Sequence, residues 1–268
     1  MSNHTRNRSK DAEDAGGKRI HTTDRVWREY NIHDDGDSDE EAAAASSFNL
    51  FTAADPGDTY ETISYPDLLL PLHAASAIPI ALRAHKQYEN STGMAVWKGS
   101  EVMSSYLIQH VASMVRNRRI CELGAGVGLC GIVASRLGAK SVLMTDGDTT
   151  VLENLRHNVD LNSATAGCPQ LIWGEESGRN FAKANGRQDV ILAADCVYMA
   201  KSVRPLLETI HEALEPKSGV FLYVNTCASQ CPIEVVFDIA KEFGLNCADT
   251  WCNSDDEDDT VYIFRRQE

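Results

Sequence analysis

From residue 117 onward, apolar runs of strand length alternate with helical patterns, and this alternation constrains the fold more than any other feature of the chain. Strands are predicted at 120–123, 141–145, 170–173, 189–194, 219–224, 246–251 and 260–265. Helices are predicted over 127–137, from a Thr150-x-x-Glu153 capping box onward, over 202–214 and over 233–243. The pattern predicts a Rossmann-like, doubly wound seven-stranded α/β sheet that is mostly parallel. Because a short loop joins the last two strands, they are expected to pair antiparallel.

The region before this alternation divides into two parts. Residues 1–45 contain few large apolar side chains and predict a disordered tail with basic and acidic stretches. Residues 46–95 contain strand-like runs, including 59–66, and predict a small N-terminal β extension. The core is predicted over 96–268, and it opens with an amphipathic helix over 100–115.

Composition narrows the classes of function. The 25 basic and 39 acidic residues give a net charge of −14, which disfavours a nucleic-acid partner and is compatible with a basic protein partner. We find no signal-peptide pattern and no uninterrupted apolar segment of membrane-spanning length. We therefore expect a protein of the cytoplasm, or of both the cytoplasm and the nucleus, without membrane attachment. We also expect a monomer.

Eight cysteines are scattered through the chain, several of them in apolar runs. The pairs Cys227/Cys231 and Cys247/Cys252 are spaced more widely than the usual ligands of a structural zinc ion. We therefore expect thiols in the core and no metal site, with zinc as the alternative.

The stretch 120-ICELGAGVGLCG-131 predicts a backbone that passes close to a ligand. Read from Gly126, it contains the G-x-G-x-x-G pattern of dinucleotide binders. If the strand ends near Leu123, however, the loop starts at Gly124, and Glu122 lies beside it. That register favours S-adenosylmethionine, with Glu122 near its ammonium group. Asp146 ends the next strand, where it can bind ribose hydroxyls of either ligand.

Five motifs in order resemble those of the seven-strand methyltransferases of the methyltransferase-16 group, which contains many protein-lysine methyltransferases. They are 96-VW-97, E-L-G-A-G-x-G-L-x-G-I with T-D after it, N-x-x-x-N-V-x-L-N from Asn154, 173-WGEE-176 and 194-ADCVY-198. The resemblance covers about residues 93–225. One departure is Lys98, where many members have proline.

The resemblance implies that residues 46–268 form a methyltransferase domain. It also implies that the cofactor is bound by Trp97, Gly124, Ala125, Gly126, Asp146, Trp173 and Ala194. Asp195 and Tyr198 would face the substrate, Asp195 orienting the amine and Tyr198 lining the channel. Each residue also has a structural alternative: either tryptophan can be a packing residue, Asp195 a buried ion-pair partner and Tyr198 a core residue.

Methyl transfer to a lysine of a basic or translation-related protein is the function these features favour, with arginine or histidine as alternative targets. A nucleic-acid amine is disfavoured, because the segment after Asp195 lacks the prolines typical of those enzymes. An NAD-dependent oxidoreductase and an inactive scaffold of the same fold are the remaining alternatives.

Overall fold

The computed structural model describes residues 60–65, 79–85, 92–226, 231–252 and 259–267. The strands are β1 Tyr60–Tyr65, β2 Ile80–His85, β3 Arg119–Leu123, β4 Ser141–Thr145, β5 Val190–Ala194, β6 Val220–Val224, β7 Leu245–Cys252 and β8 Thr260–Arg266. The helices are α1 Lys98–Gln109, α2 Leu129–Arg136, α3 Thr149–Leu161, α4 Glu175–Asn185, α5 Val203–Ala213 and α6 Ile233–Glu242. The predicted tail 1–45 and its boundary lie outside the described residues.

A sheet of six described strands, in the order β4-β3-β5-β6-β8-β7, forms the centre of the protein. β4, β3, β5 and β6 are parallel, and β8 runs antiparallel to both β6 and β7. The runs 190-VILAA-194 and 220-VFLYV-224 are apolar throughout because both faces of these strands are covered. Alternate strand residues pack against α1, α2 and α3 on one face and against α4, α5 and α6 on the other. The predicted doubly wound α/β fold with an antiparallel C-terminal pair is confirmed.

One predicted strand is reduced to isolated contacts. Segment 170–173 forms no strand, but Gln170 pairs with Asp146 and Gly167 with Leu143 in single parallel bridges along β4. The segment thus occupies the edge position of the predicted seventh strand, but it makes too few ladder bonds to be one.

Two elements escaped prediction. Helix α4 was missed because it is polar, burying only Gly178 and Phe181. Strand β2 lies at the end of an apolar run and completes a hairpin with the predicted β1. The helix over 100–115 is in fact α1 followed by a π-helical turn at Val111–Val115.

The predicted capping box at Thr150 is wrong. Helix α3 starts earlier, and its N-cap is Asp148, whose side chain accepts a hydrogen bond from Thr150 N at 2.8 Å. An aspartate in this position competes well with threonine as an N-cap, because its charge also complements the helix dipole. The start of α2 also moves, from the predicted 127 to Leu129, because Gly126 and Gly128 have left-handed backbones.

Three asparagines spaced by four residues on α3 hold the hairpin against the core. Asn162 exchanges hydrogen bonds with the backbone of Ala81, at 2.9 and 2.6 Å. Asn158 does the same with Arg83, at 2.8 and 3.2 Å, and Asn154 donates to the Arg83 carbonyl at 3.0 Å. A row of side-chain amides therefore takes the place of a neighbouring strand along one edge of β2.

Within the described residues, no helix is long and apolar enough to cross a membrane.

We expect Asn158→Ala to lower the free energy of unfolding by about 2–4 kcal/mol, because the Arg83 N–H loses its acceptor and the Arg83 carbonyl keeps only the bond from Asn154. The Val127 carbonyl, to which Asn158 also donates, is left unpaired as well. Urea unfolding measures the loss, and His157→Ala, at an exposed position next to it, is the control. Equal stability of the two variants would contradict a holding role for the asparagines.

Candidate active site

Three carboxylates lie at the carboxyl ends of neighbouring parallel strands. Glu122 is the fourth residue of β3, Asp146 follows β4, and Asp195 follows β5. Since the strand order places β3 between β4 and β5, all three belong to the same edge of the sheet. This is the edge at which open α/β sheets bind their ligands.

The glycine loop starts directly after β3, as predicted. Gly124 and Gly126 have φ of +63° and +54°, a left-handed backbone that suits only glycine without strain. A Cβ on Gly124 would lie 2.6 Å from Cys196 Cβ and 3.4 Å from Trp173 Cζ2. Ala125, which is buried, donates its N–H to Thr145 O at 2.8 Å. The loop is thus enclosed between the segments that follow β4 and β5.

Glu122 is almost fully buried and points into the start of α2. Gly131 N donates to Glu122 Oε2 at 2.8 Å, and the N-cap of α2, Gly128, has no capping side chain of its own. Glu122 therefore caps α2 from a neighbouring strand. Burial raises its pKa to about 7, and hydrogen bonds from Cys130 and Gly131 oppose that rise. Contact of Glu122 with a cofactor ammonium stays a prediction.

Asp146 bridges two loops with its carboxylate. Gly126 N donates to one oxygen at 3.2 Å, and Asp148 N donates to the other at 3.1 Å. Burial raises the pKa of Asp146, although these N–H groups stabilise its charged form. Together with the Gly147 N–H, these donors leave capacity on the carboxylate for one bond from a hydroxyl.

Asp195 is the most constrained of the three. It is 3% exposed and has a left-handed φ of +47°. Thr226 donates to both of its oxygens, from N at 2.6 Å and from Oγ1 at 2.7 Å, and Gly99 N donates at 2.7 Å. Ala194, the last residue of β5, lies directly before it.

Two aromatic residues stand beside Asp195. The rings of Trp97 and Tyr198 lie 6.1 Å apart and are tilted by 55°. Trp97 Nε1 donates to Thr92 O at 2.8 Å, which fixes the indole. Burial raises the pKa of Tyr198 well above its usual value, so its hydroxyl remains protonated at neutral pH.

Trp173 belongs to the segment just before α4 and lies near the glycine loop. It lies half-buried just before Gly174, the N-cap of α4, and its ring approaches Gly124. The structure therefore brings the predicted site residues to one edge of the sheet, whereas their roles toward a ligand stay predictions.

Gly99 and Thr226 are site residues that sequence reasoning missed. Thr226 comes two residues after the apolar run of β6, close to the position that Asp146 and Asp195 have directly after β4 and β5. That shared position was a usable signal. Gly99 offered none, because its importance comes from the close approach of Asp195.

A model of the lysine methyltransferase family matches residues 78–230, more than half of the 268 residues. The chain belongs to this lysine methyltransferase family. The match includes the glycine loop and all three strand-end carboxylates. The loop begins at Gly124, directly after β3, which is the register that the sequence favours.

Two curated relatives give the degree of similarity within the family. The "Protein N-terminal and lysine N-methyltransferase EFM7" of Yarrowia lipolytica is 28% identical over 151 residues, 48% of this chain and 55% of its own. The "Protein-lysine methyltransferase METTL21E" of Mus musculus is 39% identical over 125 residues, 44% of this chain and 50% of its own. The chain thus spans about half the length of these relatives.

A solved structure gives the likeness in fold. The 16S rRNA N2 G1207 methyltransferase RsmC of T. thermophilus, in complex with AdoMet and guanosine, superposes with a TM-score of 0.52. The superposition covers 81% of this chain and 53% of that one, at 16% identity. Identity this low supports the fold and nothing finer.

Lys98, the departure from the family pattern, is the first residue of α1. Proline suits this position because the N–H of a first helical residue has no intrahelical partner. Lysine keeps the helix and adds an ion pair, with Lys98 Nζ at 2.6 Å from Asp259 Oδ1. The pair joins the start of α1 to the start of β8.

The cysteines give no metal centre within the described residues. Cys231 is buried, Cys247 and Cys252 are exposed on β7, and Cys227 lies outside the described residues. Among the described residues, no three His, Cys, Asp or Glu side chains are grouped to hold a metal ion.

The raised pKa of Glu122 predicts a pH-dependent stability. A carboxyl whose folded pKa lies above its unfolded value stabilises the fold at low pH, and this contribution disappears as the pH rises through about 7. From pH 5 to pH 8, wild type should lose about 2–3 kcal/mol relative to Glu122→Gln. Chemical unfolding at both pH values measures this difference.

Glu176→Gln, on the exposed start of α4, controls for the change of one carboxyl to an amide. A wild-type stability that stays parallel to that of Glu122→Gln over this range would contradict the argument.

Proposed function

We propose that this protein is an S-adenosylmethionine-dependent protein-lysine N-methyltransferase. The observation that carries the proposal is the family match over 78–230, which includes the glycine loop and every strand-end carboxylate of the site. The two relatives described above bear names of protein and lysine N-methyltransferases, and the activity of this chain is inferred from that relationship together with its own site.

The residues of the site fit adenosylmethionine. Gly124 and Gly126 are partly exposed, and their left-handed backbones suit only glycine without strain, so the loop can approach a ligand closely. Asp146 keeps acceptor capacity for ribose hydroxyls, and the ring of Trp173 stands close to the loop. When bound, adenosylmethionine supplies an electrophilic methyl group on a sulfonium.

The substrate side of the site is formed by Trp97, Tyr198 and the backbone around Asp195. A lysine amine must be neutral to act as a nucleophile, and its usual pKa near 10.4 leaves it protonated at pH 7. Aromatic walls desolvate the amine and lower that pKa. The Tyr198 hydroxyl oxygen can accept a hydrogen from the neutral amine and hold the nitrogen lone pair in line with the methyl group.

A protein N-terminal α-amine is a second candidate acceptor. It is also a primary amine, and the name of the Yarrowia lipolytica relative includes N-terminal methylation. The net charge of −14 favours substrates with a basic surface in either case.

The activity test uses the purified chain, labelled adenosylmethionine and a cell extract. We expect label in one or a few protein bands, and mass spectrometry then identifies a lysine side chain or an α-amine. Label in nucleic acid alone, or in no acceptor while adenosylhomocysteine still binds, would contradict the proposal.

Asp146→Ala tests the cofactor side. Adenosylhomocysteine should bind more than tenfold more weakly, because hydrogen bonds to a charged acceptor contribute roughly 1.5–3 kcal/mol. Calorimetry measures the affinity, with Asp160→Ala, at an exposed position of α3, as the matched control. Unchanged affinity in Asp146→Ala would remove Asp146 from the cofactor site.

A further inference from the structure

The protein's own donors occupy most of the capacity of the Asp195 carboxylate. An ionised carboxylate has about four lone-pair positions, and three are filled by Thr226 N, Thr226 Oγ1 and Gly99 N. The side chain is also buried within the protein. Direct acceptance of a hydrogen from a substrate amine therefore competes with bonds that are already made.

These bonds determine where α1 begins. Its N-cap, Trp97, provides no capping side chain, and the N–H of Gly99 in the first turn binds Asp195 instead. A Cβ on Gly99 would lie 2.6 Å from Asp195 Cγ, so only glycine permits this approach. The position of Trp97 in space thus depends on the Asp195 carboxylate.

The Asp195 carboxylate is also close in sequence to Tyr198, the other aromatic residue of the site. Tyr198 follows Asp195 by three residues, and its ring faces Trp97 at 6.1 Å. Thr226, just after β6, holds the carboxylate with two donors from one residue. Two of the three hydrogen bonds that orient the Asp195 carboxylate therefore come from Thr226.

We propose that Asp195 is a positioning residue that does not contact the amine, and that Thr226 is a second positioning residue that acts through it. This inference rests on the proposed methyl transfer between the Trp97 and Tyr198 rings. Thr226 holds the carboxylate, the carboxylate holds the start of α1, and the two aromatic walls keep the spacing that an amine requires.

Thr226→Val tests the proposal, because valine has the shape of threonine and keeps the backbone N–H but lacks the hydroxyl. We expect kcat to fall by about tenfold to a hundredfold, the loss typical of one hydrogen bond to a charged group. The KM for the protein substrate and the Kd of adenosylhomocysteine should stay within about twofold, and Thr226→Ser should restore kcat.

Ser135→Ala is the control for loss of one hydroxyl far from the site, since the Ser135 side chain exchanges hydrogen bonds with the backbone of Thr165 near the end of α2. It should leave kcat unchanged. An unchanged or increased kcat in Thr226→Val would overturn the proposal, because a freed lone pair would then help a carboxylate that contacts the amine directly. Loss of folding or of adenosylhomocysteine binding in that variant would overturn it too, since Thr226 would then be a structural residue.

A second measurement does not depend on activity. The Trp97 indole N–H, which donates to Thr92 O, gives one of four tryptophan indole signals in a ¹⁵N-tryptophan spectrum, and Trp97→Phe assigns it. The signal should shift in Thr226→Val and keep its position in Thr226→Ser and Ser135→Ala. If wild type transfers no methyl group, the proposed function fails, whereas this spectrum still decides the positioning role. A signal unmoved in Thr226→Val would overturn the proposal.

Discussion

Backbone N–H groups at the carboxyl edge of the sheet need acceptors, and the arrangement of the site depends on how they obtain them. The first N–H groups of a helix have no intrahelical partner, and neither Trp97 nor Gly128 caps its helix with a side chain. Asp195 and Glu122 accept these hydrogens from the strands beside them. Each helix start is thereby placed relative to the end of a strand, and the site lies between the two.

The capping of α1 and α2 by carboxylates from other segments explains part of the glycine pattern without any ligand. At these two helix starts the carboxylate lies too close for a Cβ: one on Gly99 would collide with Asp195, and one on Gly131 would lie 2.9 Å from Glu122 Oε2. Gly131 also leaves room for Met144, and Gly128 for Leu155. Gly124 and Gly126 likewise lie against Cys196 and the Gly93 carbonyl. A G-x-G-x-x-G match is therefore a weak guide to the cofactor, because its last glycine has an internal reason to exist.

Elements with a regular apolar pattern were predicted correctly from the sequence. A polar helix, a helix boundary and the hydrogen bonds between distant segments were not. The four parallel strands and the antiparallel pair follow from apolar runs of strand length. Helix α4 was missed because it buries little, and the N-cap of α3 was misplaced because aspartate and threonine compete for that role. The strand-end carboxylates were predictable from their position after apolar runs. The three donors on Asp195 were not, since Gly99 and Thr226 come from segments 96 and 31 residues away.

The residues just before α1 also contact the glycine loop. The asparagines of α3 hold β2. A short helical turn, Thr92–Met94, precedes α1. That turn lies against Gly126, since a Cβ on Gly126 would be 3.1 Å from Gly93 O, and the Thr92 carbonyl holds the Trp97 indole. A displacement of α3 would therefore be transmitted to the glycine loop through Asp148 and Asp146, and to the turn at Gly93 through its close contact with Val151. The N-terminal hairpin is thus mechanically linked to the site, because the asparagines tie it to the helix that supports both sides of the loop.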